Sequence, residues 1–326
     1  MSPVLVTGGS GYLGTRLITA LLRDGCSVRT TVRSLESEAD VRAAVRRGDA
    51  DDSGLEVVVA GLTTAEGWPE AAADCDEVHH VATPMIHSDV LDEILIPARD
   101  GTLHVLRAAR DAGARRVVLT SSFAAVGYSP KSNEEYTEAD WTDPDTPGLA
   151  AYPRSKAIAE RTAWDFINDE GGDTELVVIN PTFILGPTLT AQARSSLALI
   201  KAMLDGAMPA VPRQRFGIAD VRDVADIHIR AMGRPEAAGQ RFLVLADGPT
   251  ISFLDIAQIL REQLGPLAER VPTEEAPGPE APPLVIHNDR AKSEFGWRPR
   301  SAETTIVETA ESLRDLGLLQ HSDHTS

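Results

Sequence analysis

The sequence predicts a doubly wound α/β fold: a mostly parallel sheet covered by helices on both faces, with a smaller, mostly helical part appended. Three observations predict it. Short β-rich runs alternate with longer segments of helical periodicity from the N-terminus to Pro181. The first run leads straight into a glycine-rich turn. The chain has 326 residues, which at ~100–200 residues per domain means two domains or one large α/β domain with an appendage. Strands separated by whole helices need crossover connections, and crossovers make neighbouring strands parallel.

The elements follow in order. Residues 4–7 form the first strand. Residues 12–23 repeat Leu13, Leu17 and Leu21 on one helical line, with Ile18 and Leu22 beside it. Residues 26–32 are a second strand, and 36–47 a helix closed by Gly48. Residues 55–59 and 77–82 are the third and fourth strands. A long helix covers 88–112 and stops at Gly113. Residues 116–121 are a fifth strand, 150–169 a helix stopped by Gly171 and Gly172, and 176–180 a sixth strand ended by Pro181. Beyond it the rhythm loosens. Helices are expected at 195–205, at 252–264, at 288–295 and at 301–316. A further helix, capped by Asp220 or Asp223, ends near Met232, and a strand at 241–245 returns to the main sheet. The Pro-rich stretch 272–283 is an exposed loop and His321 onward a tail. These readings divide the chain into a nucleotide-binding domain (1–181, with a returning segment at about 217–248) and a smaller substrate-binding domain (182–216 and 249–326).

Composition narrows the function. With 42% hydrophobic and 25% charged residues, the chain matches soluble globular proteins and excludes a mostly disordered one. A net charge of −18 repels phosphate backbones and anionic bilayers, so neither nucleic acid nor membrane is an expected partner. No apolar run reaches the ~18 residues of a membrane helix, and no leader is apparent. Cys26 and Cys75 are far apart, which suits a reducing cytoplasm. His79 and His80 are adjacent on a strand and point to opposite faces, so they cannot share a metal ion. No metal is expected. Oligomeric state, monomer or homodimer, stays open.

Two local patterns carry chemistry. Thr7-Gly8-Gly9-Ser10-Gly11-Tyr12-Leu13-Gly14 joins the first strand to the first helix. Gly8, Gly11 and Gly14 permit a tight turn, close approach of backbone to a pyrophosphate, and close helix–strand packing, while the helix N-terminus offers N–H groups to phosphate. Thr7, Gly8, Gly11, Tyr12, Leu13 and Gly14 are therefore candidate dinucleotide-binding residues. The second strand ends in Arg33, where a guanidinium suits the 2′-phosphate of NADP, so NADP(H) is preferred over NAD(H). The second pattern is Tyr152-Pro153-Arg154-Ser155-Lys156 at a helix start. It places a phenol and an ammonium one turn apart on one face, where the ammonium favours the phenolate. Ser121 and Ser122 end the fifth strand, on the edge where ligands sit in such sheets.

The glycine loop, the strand-end serine and the Tyr/Lys pair resemble the extended short-chain dehydrogenase/reductase family with its Rossmann-type sheet. Thr30-Thr31-Val32-Arg33, Val81-Ala82-Thr83-Pro84-Met85, Leu119-Thr120-Ser121-Ser122 and Asn180-Pro181-Thr182 are similar to the branch containing dihydroflavonol reductase, cinnamoyl-CoA reductase and yeast-type methylglyoxal/aldehyde reductases. Asp220 to Asp226 and Gly296-Trp297-Arg298-Pro299 also resemble extended-family signatures. The resemblance implies that Ser122 is the catalytic serine, set five residues before Gly127. It implies that Tyr152 is the proton donor and that Lys156 holds the nicotinamide ribose. Val81, Ala82 and Thr83 would line the cofactor, and Pro181 and Thr182 would meet its carboxamide. Met85, Phe123 and Ile184 are expected on the substrate side. The chain departs from the branch at Gly127, where plant dihydroflavonol reductases carry asparagine, and at Gly61 and Ala39 near the adenosine end. Three functions follow: an NADPH-dependent reductase of an apolar, aromatic or branched aldehyde or ketone; a nucleotide-sugar epimerase or dehydratase; and a non-catalytic dinucleotide sensor. For the second, Arg194, Arg213 and Arg215 are the arginines that would have to converge on a diphosphate.

Overall fold

The computed structural model describes residues 2–84, 88 and 90–320. Met85 and the histidines of the tail, His321 and His324, lie outside the described residues. The first half runs β1 (Val4–Val6), α1 (Tyr12–Arg23), β2 (Val28–Val32), α2 (Glu38–Arg47), β3 (Leu55–Val59), α3 (Trp68–Ala72), β4 (Glu77–His80), α4 (Leu91–Asp111), β5 (Arg116–Thr120), β6 (Glu135–Tyr136), α5 (Ala151–Glu170) and β7 (Glu175–Pro181). The second half runs β8 (Phe183–Leu185), α6 (Ser196–Leu204), β9 (Arg215–Phe216), β10 (Ile218–Asp220), α7 (Val221–Gly233), β11 (Arg241–Val244), β12 (Ile251–Ser252), α8 (Phe253–Leu264), β13 (Val285–Ile286), α9 (Asp289–Phe295) and α10 (Ala302–Asp315).

Seven strands form one parallel sheet in the order β11-β7-β5-β4-β1-β2-β3. The chain winds outward from β1 in one direction, then crosses back to β4 and winds in the other. That reversal opens a crevice at the carboxyl ends of β1 and β4. The inner strands are buried on both faces, which is why they read as unbroken apolar runs such as Val117-Val118-Leu119 and Val177-Val178-Ile179. One core joins the sheet to α1, α2 and α7 through Leu17, Ile18, Val45, Val224 and Ile227. The other joins it to α3, α4 and α5 through Trp68, Leu106, Ala109, Ala163 and Phe166. A third core, around Ile200, Met203, Ile256, Leu260 and Leu313, holds the smaller part together.

Element limits differ from the sequence reading at a few ends. The fourth strand stops at His80 rather than residue 82, because the N–H groups of Val81 and Ala82 turn to the Thr7 hydroxyl instead of a neighbouring strand. The helix expected from 36 is a 3-10 turn over Leu35–Ser37 followed by α2, with Ser34 Oγ capping the turn. Of the two candidate caps for α7, Asp220 takes the role, accepting from Arg222 N at 2.8 Å. Asp223 instead meets the backbone N–H of Arg300. The two-residue strands β6, β9, β12 and β13 and the helix α3 had no counterpart in the sequence reading.

Candidate active site

The site is assembled where the loops after β1, β4 and β5 meet the start of α5. Thr7 organises the first two. Its buried Oγ1 accepts from Val81 N and Ala82 N, both at 3.0 Å, and contacts His80 Nδ1 at 2.9 Å. With two donors on its oxygen, the hydroxyl proton goes to Nδ1, which leaves the His80 proton on Nε2. Burial, and then the nearby Lys156, hold His80 neutral, its pKa pushed down to about 3. His79 points the other way, into the core against the His228 ring at 5.6 Å.

The glycine turn is shaped by close approach. Gly8 has φ +75°, and a Cβ there would stand 2.9 Å from Ala82 Cα. A Cβ on Gly14 would strike the Gly8 carbonyl oxygen. Helix α1 begins at Tyr12 without a side-chain cap and without an acidic residue in its first turn, so its first N–H groups are left open to an anionic group. Leu13 is buried behind this turn, and Tyr12 reaches across to donate to the Gly186 carbonyl at 2.5 Å. At the end of β2, Arg33 is exposed and in no ion pair among the described residues. Its acidic neighbour Glu38 is bound to Arg42 at 2.8 Å, so that negative charge is offset locally.

Residues Tyr152 and Lys156 lie in the first turns of α5. Pro153 is tolerated there because first-turn N–H groups have no helical partner. The Lys156 ammonium is 5.9 Å from the Tyr152 ring centroid and donates to Thr83 Oγ1 at 3.0 Å, which ties α5 to the loop after β4. Tyr152 is 50% exposed. Helix α5 packs on the short turn Phe123–Ala125, which Ser122 caps by accepting from Ala124 N at 3.1 Å. The two strand-end serines separate cleanly. Ser121 is buried and gives its proton to Glu160 at 2.5 Å, whereas the Ser122 hydroxyl proton is uncommitted among the described residues.

At the end of β7, Pro181 is buried, and Thr182 Oγ1 is buried without a hydrogen-bond partner among the described residues. An orphaned hydroxyl here, a glycine cradle a Cβ would fill, and an uncapped helix start together fit a dinucleotide lying across the crevice. On the substrate side, Ile184 is half-buried on β8 and packs on the first core. Phe123 is only 7% exposed. Its ring turns down, edge-on to Tyr136 at 5.6 Å and into the space left by Gly127, so little of it remains for a ligand. Tyr128, which the sequence did not single out, is 42% exposed. Partial burial, and then the neighbouring Tyr152, raise its phenol above the usual value. Of the three arginines, Arg194 is exposed and in no ion pair among the described residues, and the other two are paired. Arg213 pairs with Glu275 at 3.3 Å, and Arg215 with Thr250 O at 2.9 Å and Asp255 at 3.5 Å.

No cluster of metal-ligating side chains and no helix long and apolar enough to cross a membrane occurs among the described residues.

Comparison with known proteins identifies the family of this fold. Residues 4–245 match the NAD dependent epimerase/dehydratase family. The chain is 34% identical over 322 residues to a cinnamoyl-CoA reductase of Medicago truncatula, covering 96% of this chain and 95% of that one. It is 32% identical over 335 residues to the ketoreductase azaE of Aspergillus niger, covering 95% and 97%. The solved yeast methylglyoxal/isovaleraldehyde reductase Gre2, complexed with NADPH, superposes with a TM-score of 0.82 at 25% identity, over 97% of this chain and 99% of that one. The chain therefore belongs to the NAD dependent epimerase/dehydratase family, in its branch of cinnamoyl-CoA, anthocyanidin and aldehyde reductases.

Proposed function

We propose that the chain is an NADPH-dependent carbonyl reductase that converts an apolar, aromatic or branched aldehyde or ketone to the alcohol through Ser122, Tyr152 and Lys156. The observation that carries the reading is the contact of the Lys156 ammonium with Thr83 Oγ1 at 3.0 Å, 5.9 Å from the Tyr152 ring centroid, at the start of α5. Bound NADPH supplies the hydride. Ser122 donates to the carbonyl oxygen and holds it toward Tyr152. Tyr152 gives its proton to that oxygen as the alcohol forms. Lys156 stabilises the phenolate left behind, because an ammonium nearby favours the charged form. Pro181 and Thr182 would meet the carboxamide, and Val81, Ala82 and Thr83 would line the cofactor. Arg33 selects NADPH over NADH by pairing with the 2′-phosphate. Half-buried Ile184 and exposed Tyr128 give the substrate side its apolar and aromatic character, and Phe123 packs against the Tyr128 ring at 6.0 Å. The epimerase reading loses ground here, since a sugar diphosphate needs several cationic partners and, of the three candidate arginines, Arg213 and Arg215 are already paired with carboxylates, leaving Arg194 alone.

The test is NADPH oxidation against a panel of aryl and branched carbonyl compounds, with UDP-glucose binding followed by calorimetry. The Tyr152→Phe variant is expected to lose ~10²-fold or more in kcat while NADPH affinity stays near wild type. Retention of more than about a tenth of the rate would overturn the assignment of Tyr152. Tight UDP-glucose binding with no carbonyl reduction across the panel would overturn the reductase reading.

A further inference from the structure

We propose that Glu160 is a positioning residue for this reduction: its buried carboxylate sets where Ser122 stands relative to Tyr152. The proposal rests on the Ser122-Tyr152-Lys156 reading. Glu160 follows Lys156 by four residues and Tyr152 by eight, so all three lie along one side of α5. Its side chain is fully buried, and three donors from three other elements converge on it. Arg241 Nε, from the edge strand β11, meets Oε1 at 2.6 Å. Oε2 accepts from Ser121 Oγ at 2.5 Å and from Asn180 Nδ2 at 2.7 Å. The same Asn180 amide donates to the Ser122 carbonyl at 3.1 Å. Arg241 continues outward, its Nη1 donating to the carbonyls of Glu138 at 3.0 Å and Asp140 at 2.8 Å, with its guanidinium 3.7 Å from the Trp141 ring centroid.

One carboxylate thus joins the helix that carries Tyr152, the turn that carries Ser122, and the segment that leads from that turn to the helix. It also decides which serine is presented. Ser122 has an extended backbone (φ −165°, ψ 153°), so the side chains of residues 121 and 122 leave on opposite sides. With Ser121 held by Glu160, the Ser122 hydroxyl is left on the opposite side, where it accepts from Ala124 N and keeps its own proton free among the described residues. A buried ion pair is a poor way to gain stability alone, because removing both charges from water costs much of what the pairing returns. Its geometric precision is what an apolar contact of the same size would lack, and that precision is applied to the backbone of the residue that orients the substrate oxygen.

The experiment is a double-mutant cycle in the full-length enzyme. Glu160→Gln keeps the shape but removes the charge and turns an amide N–H toward either Arg241 or the Ser121 and Asn180 donors, which loosens the anchor of the Ser122 turn. The expected result is a loss of roughly 10- to 100-fold in kcat, with NADPH affinity changed less than about twofold. In a Ser122→Ala background the same substitution is expected to change kcat less than about threefold, because the group it positions is gone. A merely structural role would cost the same factor in both backgrounds, and that result, or a Glu160→Gln kcat within about twofold of wild type, overturns the proposal. If Glu160→Gln does not fold, Ser121→Ala decides. It removes one donor and leaves the ion pair, and is expected to cost about three- to tenfold in kcat, again only when Ser122 is present; no loss overturns the proposal. Tyr152→Phe is measured alongside. If it keeps wild-type turnover, the triad itself has failed and this proposal falls with it, whereas loss there with additive Glu160 effects refutes the positioning role alone.

Discussion

Acidification is expected to destabilise this protein well before its carboxylates titrate, because two histidines are held neutral in the interior. Burial pushes both His79 and His80 from the ordinary 6.5 down to about 3. Lys156 adds to the effect at His80. The folded-state pKa lies below the unfolded one, so the unfolded chain takes up these protons first as pH falls. The loss therefore begins near pH 6.5, grows as pH drops, and levels off only near pH 3. Between pH 7 and pH 5 each histidine costs about 2 kcal/mol, or about 4 kcal/mol for the pair, on a total stability on the order of 5–15 kcal/mol. His228, lowered by burial and then by His79 and His80, adds in the same direction. Asp223, raised by burial, works in the opposite sense. The assay is urea unfolding at pH 7 and pH 5. His79→Leu is the control, since neither ring nitrogen of His79 has a partner to lose among the described residues. That variant is expected to recover about 2 kcal/mol of the acid-induced loss. A wild-type difference below about 1 kcal/mol between the two pH values, or a His79→Leu variant that loses as much as wild type, would refute the reasoning.

Two further substitutions probe the cofactor end. Arg33→Asp is expected to weaken NADPH binding on the order of 10- to 100-fold while leaving NADH binding little changed, read by fluorescence titration of both; a wild type that already prefers NADH would contradict the role given to Arg33. Gly14→Val places a side chain against the Gly8 carbonyl and is expected to cost ~1–3 kcal/mol in stability and most of the NADPH affinity. Unchanged affinity in a calorimetric titration would show that the glycine loop does not need this close approach.

What the sequence determined by itself was whatever depends on neighbours along the chain. The inner strands were legible because burial on both faces demands continuous apolar runs, as in Val177-Val178-Ile179. Helix α1 was legible from its leucine line, and α5 from its stop at Gly171. The Tyr152/Lys156 pair and the glycine loop were legible for the same reason, since one helical turn and one tight turn are local geometry. Tertiary structure alone decided the rest. The pairs β9–β12 and β6–β13 have two residues a strand, too short for any periodicity, and their partners come from distant segments. Phe123 follows a strand end, where a 3-10 turn rather than strand alternation sets the side chain's direction; the aromatic partner Tyr136 and the gap at Gly127 turned it inward. Glu160 and Arg241 are 81 positions apart, and nothing local to either residue announces the other. Their meeting depends on β11 joining the far edge of the sheet, which buries both charges together and leaves each as the other's principal compensation.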